Sequence, residues 1–306
     1  MNRVLTPERV EPRLPTRYSL LTTWILWRNL LQPREHPLFR WTLRQPFDAP
    51  ATSTLLWMLP LLSTFACCRL WALIIPLKAS FVVILPVAII GFSTCYVVVY
   101  VLRITITITN QREHGTYEQI CLSPSGALGT TWALCAAALH RSDALGWIDS
   151  TRKVLTGLLY FTLISILVTT ALRQDAATLS QFWILLFEMT ALAAGSYIDH
   201  VHSMVLGSLV GMLAPTQASG FDARLWAAGV FLSLQAITCA TTLLTPLVLL
   251  PALDTVEALV HWNFPLSPLI ASLLVFYATR EVLITLCWQV LARQLNANPA
   301  EYRFWD

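Results

Sequence analysis

The stretch NQREHGTYEQICLSP, residues 110–124, is a short charged segment that separates two long apolar blocks. The blocks beside it, 79–109 and 155–172, are each long enough to cross a bilayer whose hydrocarbon core is about 30 Å thick. This stretch, which we call the polar segment, must face water, and its arginine and flanking charges favour the cytoplasmic side. Gly115 permits a sharp turn, and Thr116 with Gln119 predicts a capping box that starts a short helix.

The polar segment resembles a signature of type-2 ABC exporter permeases. In that family an acidic residue precedes Gly-Thr, followed by a glutamate, an aliphatic residue and a proline. The matching pattern here is Glu113-x-Gly115-Thr116-x-Glu118-x-Ile120-x-x-x-Pro124. Upstream, HPLFRWTLRQP at 36–46 resembles the amphipathic entry segment of the same permeases, with Thr42 in place of the usual glutamate. An ordinary polar turn between two helices is the alternative for this stretch.

The resemblance implies a membrane permease subunit that forms the translocation pathway with a second permease, identical or related. It also implies a separate ATPase subunit, which would bind ATP and Mg²⁺ and dock on the polar segment. The implied location is the inner membrane of a prokaryotic cell, with both termini in the cytoplasm. The residues expected to contact the ATPase are Arg112, Glu113, Gly115, Thr116, Glu118 and Pro124.

Composition places the chain in the membrane independently of this resemblance. Of its 306 residues, 56% are hydrophobic and only 12% are charged, against about 25% charged in soluble domains. We therefore expect an all-α integral membrane protein. Residues 1–16 are polar and interrupted by proline, so they predict a disordered cytoplasmic tail rather than a cleavable signal peptide. Residues 17–46 carry a bulky apolar face edged by arginines, which predicts an amphipathic elbow helix in the membrane interface.

The apolar pattern predicts six transmembrane helices within 47–292, followed by a cytoplasmic tail at 293–306. The predicted spans are 52–76, 81–107, 154–172, one within 179–213, 225–250 and 266–291. The fourth block is longer than a bilayer requires, so it is either an interfacial turn leading into a span or one tilted, bent helix.

The segments between the spans are predicted as well. Leu77 and Lys78 are expected to form a tight outer turn, and 255–264 an outer amphipathic segment. Gly126–His140 either packs at the inner surface or begins the third span.

The distribution of basic residues sets the predicted orientation. Outer loops hold only Lys78 and Arg173, whereas the inner segments hold most of the other basic residues, as the positive-inside rule requires. The basic residues of the inner segments are Arg3, Arg9, Arg13, Arg17, Arg28, Arg34, Arg40, Arg44, Arg103, Arg112, Arg141, Arg152, Lys153, Arg224, Arg293 and Arg303.

Charged residues within the predicted spans are candidate functional residues, because burying them in lipid is costly. Arg69 and Glu188 lie at similar depth and are expected to form a structural ion pair. Arg280 and Glu281 are adjacent and therefore point about 100° apart on a helix, so they cannot satisfy each other. At least one of them needs a partner elsewhere, across a subunit interface or in a wet cavity.

The sequence Asp199-His200-x-His202 is the most metal-like cluster of the chain. Helical geometry places Asp199 and His202 on one side and His200 on the other. Two ligands on one face fall short of the three or four that metal sites usually have. A polar group at the membrane interface or a hydrogen bond in helix packing is therefore favoured over a metal site or proton relay. Just beyond the cluster, Gly207 and Gly211 have the GxxxG spacing that permits close helix contact.

Several function classes are disfavoured by what the sequence lacks. No phosphate-binding GxxxxGK[ST] loop, Ser-His-Asp order or soluble pair of carboxylates occurs, so we expect neither catalytic residues nor a cofactor on this chain. The seven cysteines form no CxxC pair and are expected to be packing residues, and no metal site is predicted. The arginines do not cluster as a nucleic-acid footprint. The rival functions are a non-transporting scaffold of a larger membrane complex and an enzyme or metal carrier built on 199–202.

Overall fold

In the computed structural model of the chain, the described part of the protein is helical throughout. The structure describes residues 22–31, 39–40, 77–122, 126–140, 176–260 and 267–297, with single positions between 150 and 168. Its helices are α1 (Thr22–Leu31), α2 (Leu77–Glu113), α3 (Thr116–Cys121), α4 (Gly126–His140), α5 (Ala176–Gln217), α6 (Gly220–Val260) and α7 (Ser267–Gln294).

Three of these helices contain a stretch long and apolar enough to cross a membrane. The stretches are Ser93–Glu113 in α2, Gly220–Thr242 in α6 and Ser272–Gln294 in α7. They coincide largely with the second, fifth and sixth predicted spans, and they are typical of a multi-pass membrane protein. The first predicted span, with Arg69, and most of the third lie outside the described residues.

Some predicted boundaries are wrong. Leu77 and Lys78 form the first turn of α2 rather than an outer turn, because no residue there breaks a helix. The long fourth block is one continuous helix, α5, of 42 residues, or about 63 Å, so of its two predicted forms the single helix is found and the turn leading into a span is not. Helix α6 continues through Pro251 to Val260, so 255–260 are not a separate segment. Helices in lipid tolerate such prolines where neighbouring groups satisfy the freed carbonyl.

Helix α2 is the centre of the packing and contacts α4, α5 and α6. Its closest contact is with α5, at the two glycines of the GxxxG spacing. A Cβ added at Gly207 would lie 2.5 Å from Val97 Cγ1, and one at Gly211 would lie 3.0 Å from Ile104 Cβ. Only glycine leaves room for this approach, so the predicted close contact is confirmed, with α2 as the partner.

The last turn of α5 is also bound to α2 through polar groups. Pro215 has no N–H, so it cannot donate the helical hydrogen bond to the carbonyl of Gly211, four residues earlier. The hydroxyl of Thr105 on α2 shares its hydrogen between that carbonyl, 3.3 Å away, and the carbonyl of Val101, 2.9 Å away. The carbonyl of Pro215 in turn accepts a hydrogen bond from the Arg112 guanidinium.

Helices α1 and α4 complete the described core. α4 is buried along most of its length, and Trp132 on it meets Trp288 of α7 edge to face, with ring centroids 6.1 Å apart. α1 buries Leu26 and Leu30 against the bundle and exposes Arg28, as expected of an amphipathic helix. It packs against α4, α5 and α7.

The glycine contact predicts a difference between matched substitutions. Gly207→Ala forces the added methyl group against Val97, so we expect unfolding of the purified chain in detergent to become about 1–3 kcal/mol easier. Gly229→Ala is the matched control, because nothing lies within 4 Å of a Cβ added there. Alanine is also the better helix former, so this variant should be at least as stable as the parent. Equal losses in the two variants would contradict the close-contact role of Gly207.

Candidate functional site: a buried polar cluster and the polar segment

Six polar side chains from α1, α5, α6 and α7 meet in the interior of the described bundle. We call them the buried cluster: Thr23, Asp199, His202, Gln235, Arg280 and Glu281. Burying charge without compensation is strongly unfavourable, so each contact within the cluster stabilises the packing of the four helices.

Arg280 of α7 is fully buried and is held by two helices at once. Its Nη2 donates to Asp199 Oδ1 on α5 at 2.8 Å and to Gln235 Oε1 on α6 at 2.7 Å. Its guanidinium also lies over the ring of Phe276, 5.4 Å from the centroid. These contacts satisfy one of its three nitrogens, and neither Nε nor Nη1 has a hydrogen-bond partner among the described residues.

Glu281 faces a different pair of helices. Its Oε2 lies 3.5 Å from His202 Nε2 on α5, and it also accepts a hydrogen bond from the hydroxyl of Thr23 on α1. Its Oε1 lies 3.3 Å from the backbone nitrogen of Thr23. That N–H belongs to the first turn of α1, where no helical partner exists, so the carboxylate caps α1.

The predicted polar candidates are thus largely brought together. Asp199 and His202 share the face of α5 that meets α7, as the helical spacing predicts. His200 points away and packs against Trp27 and Tyr96, with ring centroids 6.0 and 6.1 Å distant. Arg280 and Glu281 both find partners within the chain, so neither needs the subunit interface that the sequence left open.

The remaining predictions have other outcomes. Within the described ranges no group of three histidine, cysteine or acidic side chains is arranged to hold a metal ion. Asp199 is instead engaged by Arg280 and by the hydroxyl of Ser203, 3.3 Å from Oδ1. The proposed Arg69–Glu188 pair lies outside the described residues, since Arg69 and the side chain of Glu188 are not among them.

Two members of the buried cluster were missed by the sequence reasoning. Gln235 is an amide in the apolar block 225–250, and the cost of burying a polar group would have identified it. Thr23 carries no such signal, because a threonine in an amphipathic helix is common and satisfies itself locally. Only the packing of α1 against α7 reveals it.

The polar segment forms a sharp turn followed by α3. Gly115 adopts a left-handed conformation with φ 67° and precedes α3 as its N-cap. The capping box is wrong, because glycine occupies the cap position and no side chain caps the helix. Thr116 is instead the first helical residue, and its hydroxyl donates to Gln111, whose side-chain oxygen lies 2.5 Å away and whose backbone carbonyl lies 3.1 Å away.

One side of the polar segment is fastened to the bundle. The Arg112 guanidinium donates to the carbonyl of Pro215 and stacks on the ring of Tyr117, 4.7 Å from its centroid. The Thr131 hydroxyl donates to the carbonyl of Ala127, so the Tyr117 hydroxyl, 2.8 Å away, donates to Thr131. Burial raises the pKa of the Tyr117 phenol, which keeps that proton in place.

The other side of the polar segment is exposed. Leu122 exposes 88% of its surface. Glu113 lies beside the start of α6, with Oε1 3.8 Å from where a Gly220 side chain would begin. Pro124 lies outside the described residues. The exposed residues of the polar segment are Glu113, His114, Gly115, Glu118, Gln119 and Leu122.

Comparison of the chain with models of protein families, with curated proteins and with solved structures finds no match.

The Arg280–Asp199 contact predicts a non-additive response to mutation. Asp199→Leu leaves a buried guanidinium without its carboxylate, and Arg280→Met leaves the carboxylate without its cation. Each should lower the free energy of unfolding by about 3–5 kcal/mol. The double variant should lose clearly less than the sum, measured by reversible unfolding in mixed detergent micelles.

Arg293→Met serves as the control for that series. Arg293 is an exposed arginine at the end of the same helix, so its loss should change stability by less than about 0.5 kcal/mol. Strict additivity of the Asp199 and Arg280 effects would show that the two side chains do not interact.

Proposed function

We propose that this chain is the membrane permease subunit of an ATP-driven ABC exporter. In this proposal it forms the translocation pathway with a second permease, and its polar segment docks on a separate ATPase subunit. The chain would cross a prokaryotic inner membrane six times, with both termini in the cytoplasm. Helix α1 would lie in the cytoplasmic interface as the elbow, with Arg28 facing the headgroups.

The observation that supports the proposal most is the two-sided form of the polar segment, 110–124. Of the described residues of the family-like signature, Glu113, Gly115 and Glu118 are exposed, as a docking surface requires, whereas Thr116 and Ile120 are half-buried. Leu122 adds an apolar side chain to the same surface, and burying it against a partner is favourable by about 1.5–3 kcal/mol.

The opposite side of the polar segment suggests how a push could be transmitted. Arg112 and Tyr117 join α3 to the last turn of α5 and to α4, through the Pro215 carbonyl and the Thr131 hydroxyl. A movement of α3 therefore displaces two helices of the bundle. In the proposed mechanism ATP binding by the partner presses on α3, and these contacts pass the movement to the pathway.

Co-purification tests the docking step. The chain, extracted from its native membranes in mild detergent, should bring with it a stoichiometric subunit that carries a phosphate-binding GxxxxGK[ST] loop. Leu122→Asp should weaken this association about 10–100-fold, because it removes the exposed apolar contact. Leu122→Met is the matched control and should retain the association, since it keeps an apolar side chain of similar size.

The outcome that counts against docking is equally concrete. A chain that purifies without any nucleotide-binding subunit and transports in a proton gradient without ATP would exclude an ABC exporter. A complex in which 115–122 touches no ATPase would favour the scaffold alternative.

A second variant separates docking from transmission. Arg112→Gln removes the stacking on Tyr117 and the charged donor to Pro215 but leaves the exposed surface intact. We expect the ATPase to bind as before, while transport per ATP hydrolysed, measured in reconstituted vesicles, falls several-fold. If ATPase binding and transport fall together, Arg112 belongs to the docking surface itself.

A further inference from the structure

A neutral His202 cannot form a favourable contact with the ionised carboxylate of Glu281. His202 Nδ1 lies 2.9 Å from the carbonyl of Ile198, and a carbonyl only accepts, so Nδ1 carries a hydrogen. In a neutral imidazole the other nitrogen, Nε2, then has a lone pair and no hydrogen. That nitrogen is buried, has no hydrogen-bond partner among the described residues and lies 3.5 Å from Glu281 Oε2.

A lone pair facing a carboxylate at that distance is repulsive, and the conflict disappears when one proton lies between the two groups. The proton can reside on Nε2, which then donates to the carboxylate. It can also reside on Glu281 Oε2, which then donates to the neutral imidazole. In both cases a single proton converts a repulsive contact into a charge-assisted or neutral hydrogen bond.

The charge balance of the buried cluster also requires one proton. Without that proton, Arg280 balances only one of the two carboxylates, Asp199 and Glu281, and one negative charge remains uncompensated. With it, the cluster is neutral. His202 and Arg280 have fully buried side chains and only 8% of Glu281 is exposed, so the neutral state is strongly favoured.

We propose that His202 and Glu281 form a site that binds one proton and fastens α1 to the bundle. The carboxylate that faces His202 also accepts both hydrogen bonds of Thr23, so binding of the proton and capping of α1 depend on the same two oxygen atoms. The proton comes from water, and its release returns the site to the repulsive contact. The site rests on this geometry and does not depend on the proposed transport function.

The groups that face this site come from every helix packed around it. Thr23 is the contact from α1, whose Arg28 is exposed. The aromatic ring of Tyr277 lies edge-on to His202, with centroids 5.0 Å apart. The titratable and charged neighbours are Asp199 on α5, Cys239 on α6, and Tyr277 and Arg280 on α7.

Nuclear magnetic resonance of the full chain with ¹⁵N-labelled histidine, in lipid nanodiscs at pH 8, tests the proposal. An ordinary histidine is about 3% cationic at this pH, so a protonated one stands out. The chain has six histidines, and the signal lost in His202→Gln identifies the relevant one. We expect either an imidazolium at His202, or a neutral imidazole together with an infrared band of a protonated carboxylic acid that disappears in Glu281→Gln.

Two variants complete the test. In Glu281→Gln the amide can donate to Nε2, so an imidazolium at His202 should become neutral while the His200 signal is unchanged. Thr23→Val is the control, since it removes a neighbour of Glu281 without changing any charge, and the proton should remain. A neutral His202 with no carboxylic-acid band from Glu281 in the parent chain would overturn the proposal.

Discussion

Two opposite charges at adjacent positions of one helix organise the described part of this protein. Arg280 and Glu281 point in directions about 100° apart, so no single neighbour can satisfy both. Arg280 is matched by Asp199 and Gln235, and Glu281 by His202 and Thr23. Since an unmatched charge would be buried at high cost, α1, α5 and α6 must all be in place around α7 before the bundle is stable.

Part of this arrangement could be predicted from the sequence and the rest could not, for physical reasons. The spacing of Asp199 and His202 follows from the helical repeat, and the divergence of Arg280 and Glu281 follows from the same geometry. Which helices meet is a matter of tertiary packing, and helical periodicity holds no information about it. For this reason partners within the chain could not be distinguished from partners in another subunit, and Thr23 gave no signal at all.

The polar segment, too, was predictable from the sequence only in part. A turn at Gly115 and a short helix after it were predictable from local chemistry, although Thr116 fills the first helical position rather than the cap. Arg112 lies in the family-like stretch, yet it is half-buried and its guanidinium is bonded to the bundle. Sequence spacing alone could not separate the fastened side of the segment from its exposed side, because that division depends on where Pro215 and Thr131 lie.

The proline in the last turn of α5 has a mechanical consequence. The carbonyl of Gly211 is bonded by Thr105 and that of Pro215 by Arg112, and both donors belong to α2. The backbone of α5 is therefore hydrogen-bonded to α2 at the turn where Pro215 interrupts the helical hydrogen bonds of α5. The two-residue connection to α6 follows directly, at Ala218 and Ser219. The carboxyl-terminal end of α2 therefore holds the corner between α5 and α6 in place, because the carbonyls of Gly211 and Pro215 are both bonded to it.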